Sequence, residues 1–155
     1  MVRLPDLKRA GDLSGDIAGQ ILLEGDAARN NLNVKREFVD GVVRYRLLVD
    51  VPGTNEARAT RIDFKSGEDD ARVYIDGPTC LRHRWGDDAL CMWDPKAPPD
   101  ERWLLTDGFP ELVRQVQIHT YCEGVCRGGA PWPKEEMAGP HPRPRRCPTC
   151  KGQGR

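Results

Sequence analysis

Apolar and polar residues alternate from Phe38 to Val51, and Val43, Tyr45, Leu47 and Val49 share one side of that two-residue period. Such a pattern marks a strand with one face on a core and the other in water. Asp40-Gly41 interrupts it with a hairpin-type dipeptide, since both residues tolerate positive φ, and residues 34–39 are predicted to pair with residues 42–51. Pro52-Gly53-Thr54-Asn55 ends the second strand, Arg61 to Lys65 alternates around Ile62 and Phe64, and Ser66-Gly67 turns again. Val73 and Ile75 mark a further strand within Ala71 to Asp76, which completes an antiparallel meander of three or four strands. Ahead of the meander, Ile17, Ile21, Leu22 and Leu23 offer the apolar face of a modest helix from Asp16 to Glu24, resumed at Asp26 to Arg29. Gly11, Gly15, Gly19 and Gly25 limit its predicted length. Behind the meander, Gly77-Pro78 opens an aperiodic stretch in which Pro95, Pro98 and Pro99 exclude a continuous helix or central strand. Asp107-Gly108-Phe109-Pro110 then reads as a helix start with Asp107 as its cap. Leu112, Val113, Val116, Ile118 and Tyr121 supply an apolar stripe to about Cys122.

A chain of 155 residues is long enough for one real core and too short for two full domains. The pattern divides it into an N-terminal helical segment (1–33), a core (34–123) and a Gly/Pro/Arg-rich tail (124–155). Basic and acidic side chains balance at 24 each, so no global field argues for nucleic acid or a membrane surface. The balance is uneven, however: residues 127–155 hold seven basic and two acidic side chains. No apolar run approaches the ~20 residues of a membrane span, and no apolar signal core opens the chain, which predicts a cytoplasmic protein with reduced thiols.

Candidate chemistry concentrates in the aperiodic stretch. Cys91 sits in Leu90-Cys91-Met92-Trp93, with His83 eight residues before it, Trp85 and Trp103 on either side, and Arg82, His83 and Arg84 close enough in sequence to raise its thiolate fraction. A thiolate in that position can form a thioester that a second nucleophile resolves. The same tetrapeptide is equally a buried strand in which cysteine is a small hydrophobe. As a nucleophile, Cys91 is expected in a shallow surface groove, open to alkylation. His83 reads either as framework or as an active-site donor. The four tryptophans read as core or groove wall, Cys80 as structural, and Asp87, Asp88, Asp94 and Asp100 as turn residues, one of which can orient an incoming amine. In the tail, Cys122-x3-Cys126 and Cys147-x2-Cys150 match the spacing of a four-thiolate zinc site. The alternatives are unpaired or redox thiols, with Cys122 and Cys126 facing inward as core at i, i+4. Cys147 to Gly154 resembles one arm of the zinc module of the DnaJ chaperones, which implies a metal knuckle and no chaperone function.

The succession of helix, meander, Gly77-Pro78, His83, Leu90-Cys91-Met92, Trp103 and the helix from Phe109 resembles the ubiquitin-conjugating enzymes over about Phe38 to Tyr121. It is similar, more closely, to the small conjugating-enzyme-like proteins of bacterial antiviral operons. That similarity rests on His83-Arg84, Leu90 to Pro95, Arg102-Trp103, Asp107-Gly108, His119, Glu123, Trp132, Glu136 and His141. The resemblance implies an α+β conjugating-enzyme fold, an antiparallel sheet flanked by helices. It implies that Cys91 accepts the C-terminus of a ubiquitin-like protein, or of a cyclic-oligonucleotide synthase, from an ATP-dependent adenylating enzyme and passes it to an amine. One departure stands out: the family's His-Pro-Asn is replaced by His83-Arg84-Trp85, so oxyanion stabilisation falls to backbone amides or to His83, His119 or His141. A rival from another class is a non-catalytic zinc-containing module that binds a protein or, through Arg143, Arg145 and Arg146, nucleic acid.

Overall fold

A computed structural model of the chain describes residues 9–77, 84–130 and Pro133. Asp40 and Gly41 adopt φ of 49° and 78°, and the turn they form joins β1 (Lys35–Val39) directly to β2 (Val42–Asp50), with Val39 opposite Val42. Thr54 shapes the next connection, its hydroxyl donating to Val51 O at 2.9 Å and accepting from Glu56 N at 3.0 Å. β3 (Ala57–Lys65) therefore starts four residues earlier than the alternation around Ile62 and Phe64 suggests, pairing Ala57 with Asp50. β4 (Arg72–Ile75) completes a four-stranded antiparallel sheet in the order β1-β2-β3-β4. Val43, Tyr45, Leu47 and Val49 are buried on its inner face with Ile62, Phe64, Val73 and Ile75, as the period-two pattern requires.

Two helices and a 3-10 turn (Ala10–Gly15) close that inner face, giving an α+β architecture. α1 (Ile17–Arg29) is one continuous helix, started by the Asp16 carboxylate accepting from Gly19 N at 3.1 Å. Its orientation differs from the expected one: Gly19, Gln20, Leu23 and Ala27 face inward, and Ile17, Ile21 and Leu22 are exposed. The reason is polar. Gln20 donates to Leu13 O at 2.8 Å and accepts from Arg36, and Glu24 takes Arg36 at 3.2 Å, so the helix is rotated to bring this face onto the sheet. Small residues on the inward side then let the backbones approach.

α2 (Gly108–Arg127) runs beyond the expected core boundary at residue 123. Asp107 does not cap it; its carboxylate accepts from Leu104 N at 2.9 Å and closes a 3-10 turn (Leu105–Asp107) instead. Gly108 follows at φ 79°, where a Cβ would stand 2.6 Å from Asp26 Oδ2 of α1. Glycine there is thus required by the backbone conformation, and any side chain would also displace the Asp26 carboxylate. Leu112, Val113 and Val116 are buried as predicted, but Tyr121 is exposed, and the buried face continues through His119, Thr120, Cys122, Glu123 and Cys126. Tyr45 anchors the core, its ring 4.8 Å from Phe109 and 6.1 Å from Phe64. Among the described residues no helix is long and apolar enough to cross a membrane.

Candidate functional site

The segment leading to Cys91 is a short hairpin fastened on two sides. Arg84 and Leu90 form an antiparallel bridge, Trp85 N donates to Ala89 O at 2.8 Å, and Asp88 takes φ 71° at the turn. Leu90 N donates to Val73 O at 2.8 Å, which lays the hairpin along the free edge of β4. Asp87 secures the same side, accepting from the Tyr74 hydroxyl at 2.8 Å and from Ala89 N at 3.2 Å. On the opposite side Arg84 donates to Glu123 of α2 through Nε at 2.8 Å and Nη2 at 3.1 Å. This pair is sealed, with the Arg84 and Glu123 side chains 3 % and 0 % exposed, and His119 Nε2 lies 3.5 Å from Glu123 Oε1.

Immediately after the hairpin, Cys91 is only 4 % exposed. Burial pushes its thiol up to about 11, and the Asp70 and Asp94 carboxylates push in the same direction. The burial corrects the expectation of an open thiol; of the three cations expected to prime it, Arg82 and His83 lie outside the described residues. Arg84 donates to Glu123 and to Asp88 O, and among the described residues Asp70 and Asp94 are the charges that raise the Cys91 thiol. Asp70 is itself held by Trp93, whose Nε1 donates at 2.9 Å; burial raises the Asp70 pKa, and that hydrogen bond moderates the rise. Trp93 lies 6.3 Å from Trp103, Trp103 lies 6.2 Å from Phe64, and Trp103 Nε1 donates to Gly108 O at 2.9 Å. The tryptophans flanking Cys91 thus tie it to the aromatic core. Asp94 behaves as the expected turn residue, accepting from Lys96 N at 2.9 Å.

His83, Arg82, Cys80, Cys147, Cys150, His141 and the tail arginines lie outside the described residues. Cys122 and Cys126 are buried one turn apart on α2. Among the described residues no group of three or more histidine, cysteine or acidic side chains is placed to hold a metal ion.

Two features escaped the sequence reading. Arg84, His119 and Glu123 were each named by the family resemblance, but their meeting in one buried cluster was not foreseen. Its signal was spacing: positions 112, 116, 119, 123 and 126 continue a single helical stripe, and a glutamate on a buried stripe requires a cation. Asp70 carried no comparable signal, because it sits in the acidic run Glu68-Asp69-Asp70 and differs from its neighbours only in being buried against Trp93. Cys91 is therefore a shielded thiol that follows a hairpin fastened to β4 and α2. No protein family, no curated protein and no solved structure matches the chain.

Proposed function

We propose that the chain is a ubiquitin-conjugating-like acyl carrier with the fold of that family, serving bacterial antiviral defence. Cys91 receives the C-terminus of a ubiquitin-like protein or signalling synthase and hands it to an amine. The Cys91 thiolate adds to the carbonyl carbon of the incoming thioester, and the adenylating partner's thiolate leaves. An amine then adds to the same carbon, its proton passes to water or a nearby base, and the Cys91 thiolate leaves. His83 would supply a donor to the oxyanion, and Cys122, Cys126, Cys147 and Cys150 a structural zinc site.

The observation that carries this reading is the double fastening of the hairpin before Cys91, to Val73 on one side and Glu123 on the other. Such fixing of the backbone around one thiol fits a group that must meet a reacting carbonyl in a defined geometry. A raised thiol pKa is compatible with a carrier, since it lowers adventitious reaction at rest while the thiolate, once formed, is the stronger nucleophile.

Burial of Cys91 favours a second reading, the non-catalytic zinc-containing binding module. Native-state alkylation separates them. Under the carrier reading Cys91 reacts with iodoacetamide well ahead of Cys122 and Cys126, through a local opening whose rate is insensitive to low denaturant. Equal protection of all three cysteines, released only by global unfolding, would favour the binding module.

A further inference from the structure

Strand register sets three cations side by side on the outer face of the sheet. Lys35 stands opposite Arg46, and Arg46 opposite Arg61, so the three occupy neighbouring positions roughly 5 Å apart in a row across the strands. Tyr74 ends the row on β4, where Arg61 stacks 4.1 Å above its ring. Like charges directly opposed destabilise a sheet.

The adjacent row shows what a self-satisfied sheet face looks like. Glu37, Arg44 and Asp63 alternate in sign there, and Arg44 holds Asp63 at 2.7 and 3.0 Å. Those two carboxylates are what the cation row has to draw on. Arg46 takes Glu37 at 2.6 Å, and Arg61 reaches the already engaged Asp63 at 3.4 Å. The Arg46 and Arg61 side chains nonetheless keep 53 % and 35 % of their surface exposed, and Lys35 is exposed.

On the other side of the row, Leu48 faces Ala59. Leu48 is 68 % exposed, and the short Ala59 side chain leaves a gap between taller neighbours. The result is a depression of about 380 Å³ with Leu48 and Ala59 in its lining and Lys35, Arg46 and Arg61 along one side. Asp76 closes the β4 corner, which directs an anionic occupant toward β1 and β2.

We propose that this depression docks an acidic polypeptide segment carrying an aliphatic side chain among its carboxylates. The carboxylates meet Lys35, Arg46 and Arg61, and the aliphatic side chain covers Leu48 and fills the space over Ala59. Charge complementarity selects acid, and the apolar lining selects a polypeptide over a bare phosphate, which gains nothing from a leucine surface. The surface uses neither Cys91 nor the zinc-site cysteines, so it stands apart from the carrier reading.

Amide shifts of the full-length isotopically labelled chain, titrated with the synthetic peptide acetyl-Glu-Asp-Leu-Glu-Asp-amide at low salt, test it. Shifts confined to Lys35, Arg46, Leu48, Ala59 and Arg61, weakening as salt is added, are the expected result. Arg46→Glu with Arg61→Glu weakens binding about tenfold or more, and Leu48→Ser, an exposed position that leaves the fold intact, weakens it independently. Absence of shifts on this face at millimolar peptide overturns the proposal. Equal shifts from inorganic phosphate, from the peptide with serine for leucine, or in the altered chains overturn it as well.

Discussion

A thiol lifted to about 11 leaves roughly one molecule in ten thousand as thiolate at neutral pH. Alkylation of Cys91 is therefore expected to accelerate about tenfold per pH unit below the thiol pKa, as long as reclosing outpaces the chemical step. Asp70→Asn keeps an acceptor for Trp93 and removes one of the charges opposing ionisation, so it should lower the Cys91 pKa and speed alkylation several-fold at fixed pH, read by peptide mapping. An unchanged rate would mean that burial and Asp94 set the thiol without Asp70. The same shift enters stability. The folded pKa lies above the ordinary value of 9.0, so the folded chain holds the proton longer than the unfolded one. Stability from this source is complete below pH 9 and is lost as the pH climbs toward 11, by about 2 kcal/mol. Cys91→Ala should flatten that part of the wild-type stability curve, measured by denaturant titration at several pH values.

Between elements, the buried Arg84–Glu123 pair joins the hairpin to α2 across 39 residues of sequence. Glu123→Gln leaves an arginine charge sealed in the interior and is expected to cost about 3 kcal/mol or more. Arg84→Met combined with Glu123→Leu should cost less than the two single changes summed, because the pair's main liability is an uncompensated charge. Gly108 is the other joint. Gly108→Ala forces a side chain into a positive-φ site against Asp26, for an expected loss of about 2 kcal/mol in the unfolding free energy. What the sequence disclosed differs by element for a physical reason. The meander was readable because a half-buried strand writes its burial as strict alternation and because Asp40-Gly41 permits few other turns. α1 was readable as a helix but only partly in its orientation: Leu23 is buried as expected, but Ile17, Ile21 and Leu22 are exposed, and Gln20 with Gly19 and Ala27 completes the inward face. In α2 the stripe was carried on through the apolar residues Ile118 and Tyr121, whereas the buried face turned polar at His119 and Glu123 and left Tyr121 exposed.

Taken as a whole, the described residues share one core, and both fastenings of the Cys91 hairpin end in elements of that core. The position of the cysteine between meander and α2 was legible in the chain order. Its burial was one of two readings the tetrapeptide left open, and the influence of Asp70, some twenty residues away, was not legible, since it depends on that carboxylate being held by Trp93. The account's central claim is that this sulfur carries an acyl group. Cys91→Ser, co-expressed with the products of neighbouring genes, replaces a labile thioester by a longer-lived oxyester that intact-mass measurement and peptide mapping can place. The account predicts a mass increase equal to a partner's processed C-terminal chain, located on position 91, removed by mild alkali and absent from Cys91→Ala. An adduct that persists in Cys91→Ala, or no adduct at all beside an active adenylating enzyme and its carrier protein, would contradict it.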